Sequence, residues 1–235
     1  MRPLAILITG EPVPGALAAR GTWSEIIRAA VGDAWPGPWR DIDGRVELPN
    51  SDVFSGLIVT GSAANVPSRE AWILKLEGYL ARAVEARVPI FGICFGHQLL
   101  GQALGGLVTK NPKGREIGTV SVQLSAPDPL LEAGRSELQA NMTHIDSVVT
   151  LPPGARVLAR TALDDHAMVR FNELTWGVQF HPEIDAEIIG HYVAARRDAM
   201  IEEGLDAAGV EAGLADTPAS QAILRRFAAC LPARS

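Results

Sequence analysis

Pro89-Ile90-Phe91-Gly92-Ile93-Cys94-Phe95-Gly96-His97-Gln98-Leu99-Leu100-Gly101 sets a short apolar run directly against a helical pattern, with a cysteine between glycines at the join. A buried strand enters Gly92 and a helix leaves from His97. Gly-x-Cys-x-Gly at such a join has the pattern of a nucleophile elbow, with cysteine in place of serine. The glycines allow a tight turn that brings neighbouring chain close and forces the central residue into strained backbone geometry. Cys94 is thereby expected at the carboxyl end of a sheet, beside a helix N-terminus whose partial positive charge favours the reactive thiolate.

Outward from this stretch, strand-sized apolar runs alternate with helical patterns. Leu4 to Thr9 precedes Trp23 to Val31, Leu57 to Thr60 precedes Glu70 to Arg87, and Pro89 to Ile93 precedes His97 to Leu104. This predicts an α/β domain with a central, mostly parallel mixed sheet flanked by helices. The runs Gly118 to Leu124, Val148 to Thr150, Val157 to Ala159, Ala167 to Arg170 and Trp176 to Phe180 are short and separated by Pro, Gly, Asn and Asp. They predict an antiparallel or mixed extension of the sheet. A helix is expected over Ile184 to Ala199, and a last one over Thr217 to Cys230, opened by Thr217-Pro218 as N-cap and first helical residue. The expected organisation is one catalytic domain over 1–199 with a helical tail over 200–235, packed on it or extending it. Between Ala34 and Arg40 two prolines and a glycine mark a loop whose tryptophans, Trp35 and Trp39, are expected to pack against their own domain.

Composition narrows the partners. The 235 residues are 47% hydrophobic and 20% charged, and Lys+Arg 21 against Asp+Glu 27 gives a formal charge of −6. No basic run offers a footprint for nucleic acid or an anionic membrane, so a small-molecule partner is expected. No apolar stretch approaches the roughly 20 residues of a membrane span. The run Leu4 to Ile8 is too short for a signal sequence and reads as a first strand. Two cysteines make no disulfide framework, which points to a reducing, cytoplasmic compartment. Cys230, in an amphipathic segment, is expected to be a small core residue.

A thiolate nucleophile needs a base, and histidine suits that work by its near-neutral pKa. His181-Pro182-Glu183 follows the apolar run Trp176 to Phe180 and sets a carboxylate two residues on, on the same side of extended chain. Glu183 is placed to hold the imidazole of His181 in one tautomer and to stabilise its charged form. His144-Ile145-Asp146 has the same spacing and is the rival base and orienter, or a wall of the substrate pocket. The N–H of Phe95, just after the nucleophile, is an expected oxyanion donor. Thr60-Gly61-Ser62-Ala63, ending another strand at the same edge, offers a second through the amides of Gly61 and Ser62. No compact His/Cys/Asp cluster has metal-ligand spacing, and neither metal nor cofactor is expected.

These motifs resemble those of the class I, triad-type glutamine amidotransferases. The resemblance rests on Gly92 to Gln98, on Gly177-Val178-Gln179-Phe180-His181-Pro182-Glu183, and on Lys113 to Gly118 and Met142 to Val148 between them, and it runs from about Leu4 to His191. It implies a flavodoxin-like α/β fold and a triad of Cys94, His181 and Glu183 that cleaves the side-chain amide of glutamine to glutamate and ammonia. Gln98 matches a glutamine that holds the substrate, and Phe95 matches the oxyanion amide. Many members have two glycines where this chain has Gly61-Ser62; in this respect it is more similar to stand-alone members, the γ-glutamyl peptidases among them. Three functional expectations follow. One is a glutaminase serving a separate synthetase that takes the ammonia, a second is a stand-alone γ-glutamyl hydrolase or peptidase, and a third is a catalytically silent binding module, against which the intact triad argues. An esterase-type α/β-hydrolase would place its acid before its histidine, whereas Glu183 follows His181.

Overall fold

Among the described residues, nine strands make one sheet whose two halves follow different rules. The computed structural model describes residues 1–46 and 48–232. The first part of the chain forms β1 (Leu4–Ile8), α1 (Pro14–Arg20), α2 (Trp23–Val31), β2 (Trp39–Asp43), β3 (Gly56–Val59), α3 (Ala71–Glu85), β4 (Ile90–Ile93), α4 (Phe95–Ala103) and β5 (Leu107–Lys110). The remainder forms β6 (Glu116–Leu124), β7 (Glu137–His144), β8 (Asp146–Thr150), β9 (Arg156–Arg160), β10 (Met168–Asn172), β11 (Thr175–Val178), α5 (Ala186–Ala195), α6 (Arg197–Glu202), α7 (Ala207–Ala212) and α8 (Pro218–Ala229). The sheet order is β2-β1-β3-β4-β11-β10-β9-β6-β7, with β5 and β8 as a separate antiparallel pair. From β2 to β11 all neighbours are parallel; from β11 to β7 all are antiparallel.

Apart from the edge strand β2, the parallel half is buried on both faces, which is why its strands read as unbroken apolar runs. Successive residues point to opposite sides. Leu4, Ile6, Ile58, Phe91 and Ile93 pack with Ile27 of α2 and Ile223 and Phe227 of α8. Ala5, Leu7, Leu57, Val59 and Ile90 pack on the other face with Ile73, Leu76 and Leu80 of α3 and Leu99 of α4. Each such fully buried aliphatic or aromatic side chain stabilises the fold by about 1.5–3 kcal/mol relative to exposure. α8 belongs to this core: Phe227 is 1% exposed and its ring lies 5.2 Å from that of Phe91 and 6.2 Å from that of Trp176.

Local signals explain several boundaries. Thr22 and Glu25 form a reciprocal capping box that starts α2, and the Asp185 side chain accepts from the Ile188 N–H to start α5. Pro218 opens α8 as expected, but Thr217 makes no side-chain cap; its hydroxyl bonds that of Ser220 at 2.9 Å. The helix expected over Ile184 to Ala199 is broken at Arg196, whose φ of −113° and ψ of 6° separate α5 from α6. Trp35 is buried, with its indole N–H donating to the Pro38 carbonyl at 3.0 Å, while Trp39 begins the edge strand β2. No helix among the described residues is long and apolar enough to cross a membrane.

Candidate active site

Three neighbouring parallel strands end together. β3, β4 and β11 run in register, with Val59 opposite Gly92 and Val178 opposite Ile93, so the residues just beyond them gather at one edge. These are Gly61 and Ser62, then Cys94, then His181 and Glu183, at the carboxyl ends where open α/β sheets hold ligands. Cys94 has φ 50° and ψ −101°, a left-handed conformation that is costly for a side chain with a Cβ. The turn is tight: a Cβ on Gly92 would lie 2.6 Å from the Gly96 carbonyl, and one on Gly96 would lie 2.5 Å from the Val59 carbonyl. The elbow therefore needs both glycines. Phe95 is the first residue of α4, where the backbone N–H has no partner within the helix.

His181 Nδ1 donates to Glu183 Oε1 at 2.7 Å, which fixes the ring and leaves Nε2 buried without a hydrogen-bond partner among the described residues. The imidazole stacks on Trp23 at 5.9 Å between centroids and lies 6.3 Å from Tyr192, an aromatic frame that favours a cation. Burial opposes that charge, but Glu183 and the Cys94 sulfur more than compensate and raise the His181 pKa to about 10. Burial likewise pushes the Cys94 thiol up; His181, with a smaller contribution from His144, outweighs it and holds the thiol below its usual range. Both shifts favour the same arrangement, a thiolate beside an imidazolium, with the protons belonging to the pair. A Cβ on Gly61 would approach His181 Cε1 to 3.0 Å, so glycine lets the β3 loop lie close over the imidazole without displacing it.

Ser62 does not need the freedom of glycine here. Its hydroxyl turns away, donating to the Thr9 carbonyl at 2.9 Å and accepting from the Ala64 N–H at 3.1 Å, and its φ is not positive. Cys94, Phe95, Ser62, Gln98 and His144 line one cavity of about 180 Å³. A larger concavity of about 590 Å³, lined by 124–129 and 131–136, holds neither cysteine nor histidine. The Gln98 amide donates to the Asp146 carbonyl at 2.8 Å and to Gln179 Oε1 at 3.1 Å, so both its protons are used in shaping the wall.

His144 is not oriented by the Asp146 carboxylate. Its Nδ1 faces the Asp146 backbone carbonyl at 3.0 Å and its Nε2 faces Glu116 Oε2 at 3.1 Å. Burial would neutralise it, but the hydrogen bond to Glu116 and the charges of Asp164, Cys94 and Glu116 raise its pKa. This arrangement suits a fixed cation on the pocket wall better than a proton shuttle. Glu116 and His144 are direct cross-strand partners in the β6–β7 hairpin. His97 packs on Phe171 at 5.7 Å, and burial lowers its pKa to about 4, which marks a neutral core histidine. Cys230 is exposed, contrary to its expected place in the core, because it caps the end of α8 beyond the last buried turn. Among the described residues no group of His, Cys, Asp and Glu could hold a metal ion.

Sequence reasoning missed three residues at this site. Thr143 has a buried hydroxyl without a partner among the described residues, and Arg115 and Arg196 both reach the cavity. Arg115 and Thr143 lie within Lys113 to Gly118 and Met142 to Val148, where nothing in the local pattern gives them a role; Arg196 carries no signal beyond its basic character.

Comparison with known proteins gives a consistent result. A profile of the family described as Glutamine amidotransferase class-I matches residues 43–197. A GMP synthase (glutamine-hydrolyzing) from Syntrophomonas wolfei is 36% identical over 129 residues, covering 54% of this chain and 24% of that protein. Gamma-glutamyl peptidase 4 from Arabidopsis thaliana is 30% identical over 165 residues, 67% of this chain and 65% of that protein. The chain thus spans about a quarter of the first relative and just under two thirds of the second. A solved glutamine amidotransferase from Methylobacillus flagellatus superposes with a TM-score of 0.67 at 27% identity, over 97% of this chain and 91% of that one.

Proposed function

The chain belongs to the glutamine amidotransferase class-I family, and from that premise we propose that it hydrolyses a γ-glutamyl amide through a thioester on Cys94. The observation that carries this reading is a left-handed Cys94 at the strand-to-helix elbow, with the unpartnered Nε2 of a Glu183-bound His181 buried beside it.

The chemistry follows from the charges. The Cys94 thiolate attacks the γ-carbonyl carbon, and the oxygen takes up negative charge toward the Phe95 N–H, with the amides of the Gly61-Ser62 loop as second donor. His181 gives its proton to the leaving nitrogen as the C–N bond breaks. Water then gives a proton to His181 and adds to the thioester carbonyl, expelling the sulfur as thiolate. Gln98, Asp146 and His144 form the wall against which the glutamyl portion lies. Two uncapped, unpaired thiols, Cys94 and Cys230, suit a reducing, cytoplasmic setting.

Two fates of the amine separate the readings. The likeness to Gamma-glutamyl peptidase 4 favours a protein that acts alone; the likeness to GMP synthase favours a synthetase partner that receives ammonia. The test is release of glutamate and amine from glutamine and from a panel of γ-glutamyl peptides, with Cys94→Ser as control. Cys94-dependent release and a γ-glutamyl adduct on Cys94 are expected, whereas equal turnover by the Ser variant would remove Cys94 from the mechanism. Peptide turnover well above that of glutamine marks the stand-alone enzyme; glutamine turnover alone marks the partnered one.

A further inference from the structure

Arg196 occupies the break between α5 and α6, and the break turns its guanidinium back over the face of Tyr192, 4.9 Å from the ring centroid. Tyr192 itself lies against His181, so one aromatic ring separates the guanidinium from the base. Arg115, in the same cavity, is held at both ends by Glu203, at 2.8 and 2.9 Å. Arg196 differs: among the described residues its guanidinium has neither an ion pair nor a hydrogen bond. The charge of the Cys94 sulfur favours the cation from across the cavity, but a half-buried guanidinium whose N–H donors are unused is unfavourable until an acceptor arrives.

The place of that missing acceptor follows from the reaction. Arg196 lines the 180 Å³ cavity and also a narrower one of about 30 Å³ bounded by His181, Trp23, Tyr192, Val13 and Glu11. His181 delivers its proton to the leaving nitrogen, so the leaving group extends toward this second cavity. That cavity holds only about two water-sized groups, but it shares Ser62, Ala63, Cys94, Thr143 and Arg196 with the larger cavity, so a leaving group bigger than ammonia has room across the two. Glu11, exposed at the rim, forms no ion pair with Arg196 and is free to meet the ammonium of a released amine.

We propose that Arg196 is a specificity-determining residue that pairs with a carboxylate on the amine side of the scissile bond, which makes γ-glutamyl amino acids the substrate class. This rests on the γ-glutamyl hydrolase reading above. The reaction balances with water alone: the C–N bond breaks, the nitrogen gains the His181 proton, and water completes glutamate and a free amino acid.

The test compares γ-glutamylglycine with γ-glutamylglycinamide, which differ only in that carboxylate. Calorimetric binding to the Cys94→Ser protein is expected to favour the glycine compound by about tenfold or more, the scale of one charged hydrogen-bonded contact. Adding Arg196→Ala erases the difference and Arg196→Lys keeps part of it. Equal affinities in the presence of Arg196, or equal losses for both compounds on Arg196→Ala, would overturn the proposal, the second by assigning Arg196 to the glutamyl carboxylate or to the fold. Absence of binding by either compound overturns it, while Cys94-dependent turnover of glutamine leaves the hydrolase reading standing. Wild-type turnover measured in parallel separates the two: a carboxylate preference in binding without Cys94-dependent hydrolysis refutes only the hydrolase reading.

Discussion

The parallel and antiparallel halves of the sheet divide the work of the site. β3, β4 and β11 deliver Cys94 and His181, the proposed nucleophile and base, and the Gly61-Ser62 loop beside them, from strands buried on two faces. The antiparallel hairpin of β6 and β7 delivers Glu116, Thr143 and His144, which line or support the pocket. Rigid packing sets the reacting atoms, and cross-strand polar pairs set what can lie against them. On this division, damage to the parallel half should remove turnover or the fold, and damage to the hairpin should alter substrate affinity.

The largest effect is expected at Cys94. Cys94→Ala should lower kcat by about 10⁴-fold or more while the circular dichroism spectrum stays native. Retained turnover would break the division at its centre. Glu183→Gln should cost about 10²–10⁴ in kcat, because Nδ1 of His181 loses its anionic acceptor. It should also change the pH profile. In the wild type the imidazolium persists until the pH approaches its pKa of about 10, so the basic fall in kcat/KM lies in that region. Glu183 raises the His181 pKa, so its removal should move that fall toward neutrality. An unmoved basic limb would mean that another group titrates there.

Next is the underside of the site. Phe227→Ala leaves a hole beneath β4 and β11 and should destabilise the protein by about 3–5 kcal/mol in urea unfolding, although Phe227 lies outside the span matched by the family profile. A loss under about 1 kcal/mol would show that α8 is dispensable to that core. The smallest effect is expected in the hairpin. Glu116→Gln removes the chief support of the His144 charge and should raise KM about tenfold, with a lesser fall in kcat. If it lowered kcat as far as Glu183→Gln does, the two halves would not divide the work as described.

Legibility in the sequence followed the same line. The parallel strands were readable because burial on two faces leaves an uninterrupted apolar run, as at Ile90–Ile93, and the elbow was readable because its residues are adjacent in sequence. β7 carries the strand signal, since Glu137–His144 alternates polar and apolar residues after the turn at Gly134, but it lacks the unbroken apolar run that marks the parallel strands; β2 was hidden because the edge strand Trp39–Asp43 is mostly charged. The acceptor of His144 was misplaced for a related reason: local spacing offered Asp146, whereas hairpin register brought in Glu116. Arg196 was hidden by a helix break that no glycine or proline announces.

The insertion of β11 between β4 and β10 has a further consequence. The thiol lies at the end of an early strand, but its base arrives on the last strand of the sheet to be synthesised. Contacts of such long sequence separation form late. In a refolding experiment, alkylation of Cys94 at neutral pH should stay at the slow rate of an ordinary thiol while helical ellipticity returns, then accelerate when β11 docks. The nascent chain would thus carry a quiescent cysteine, armed only by completion of the sheet; early acceleration would disprove this.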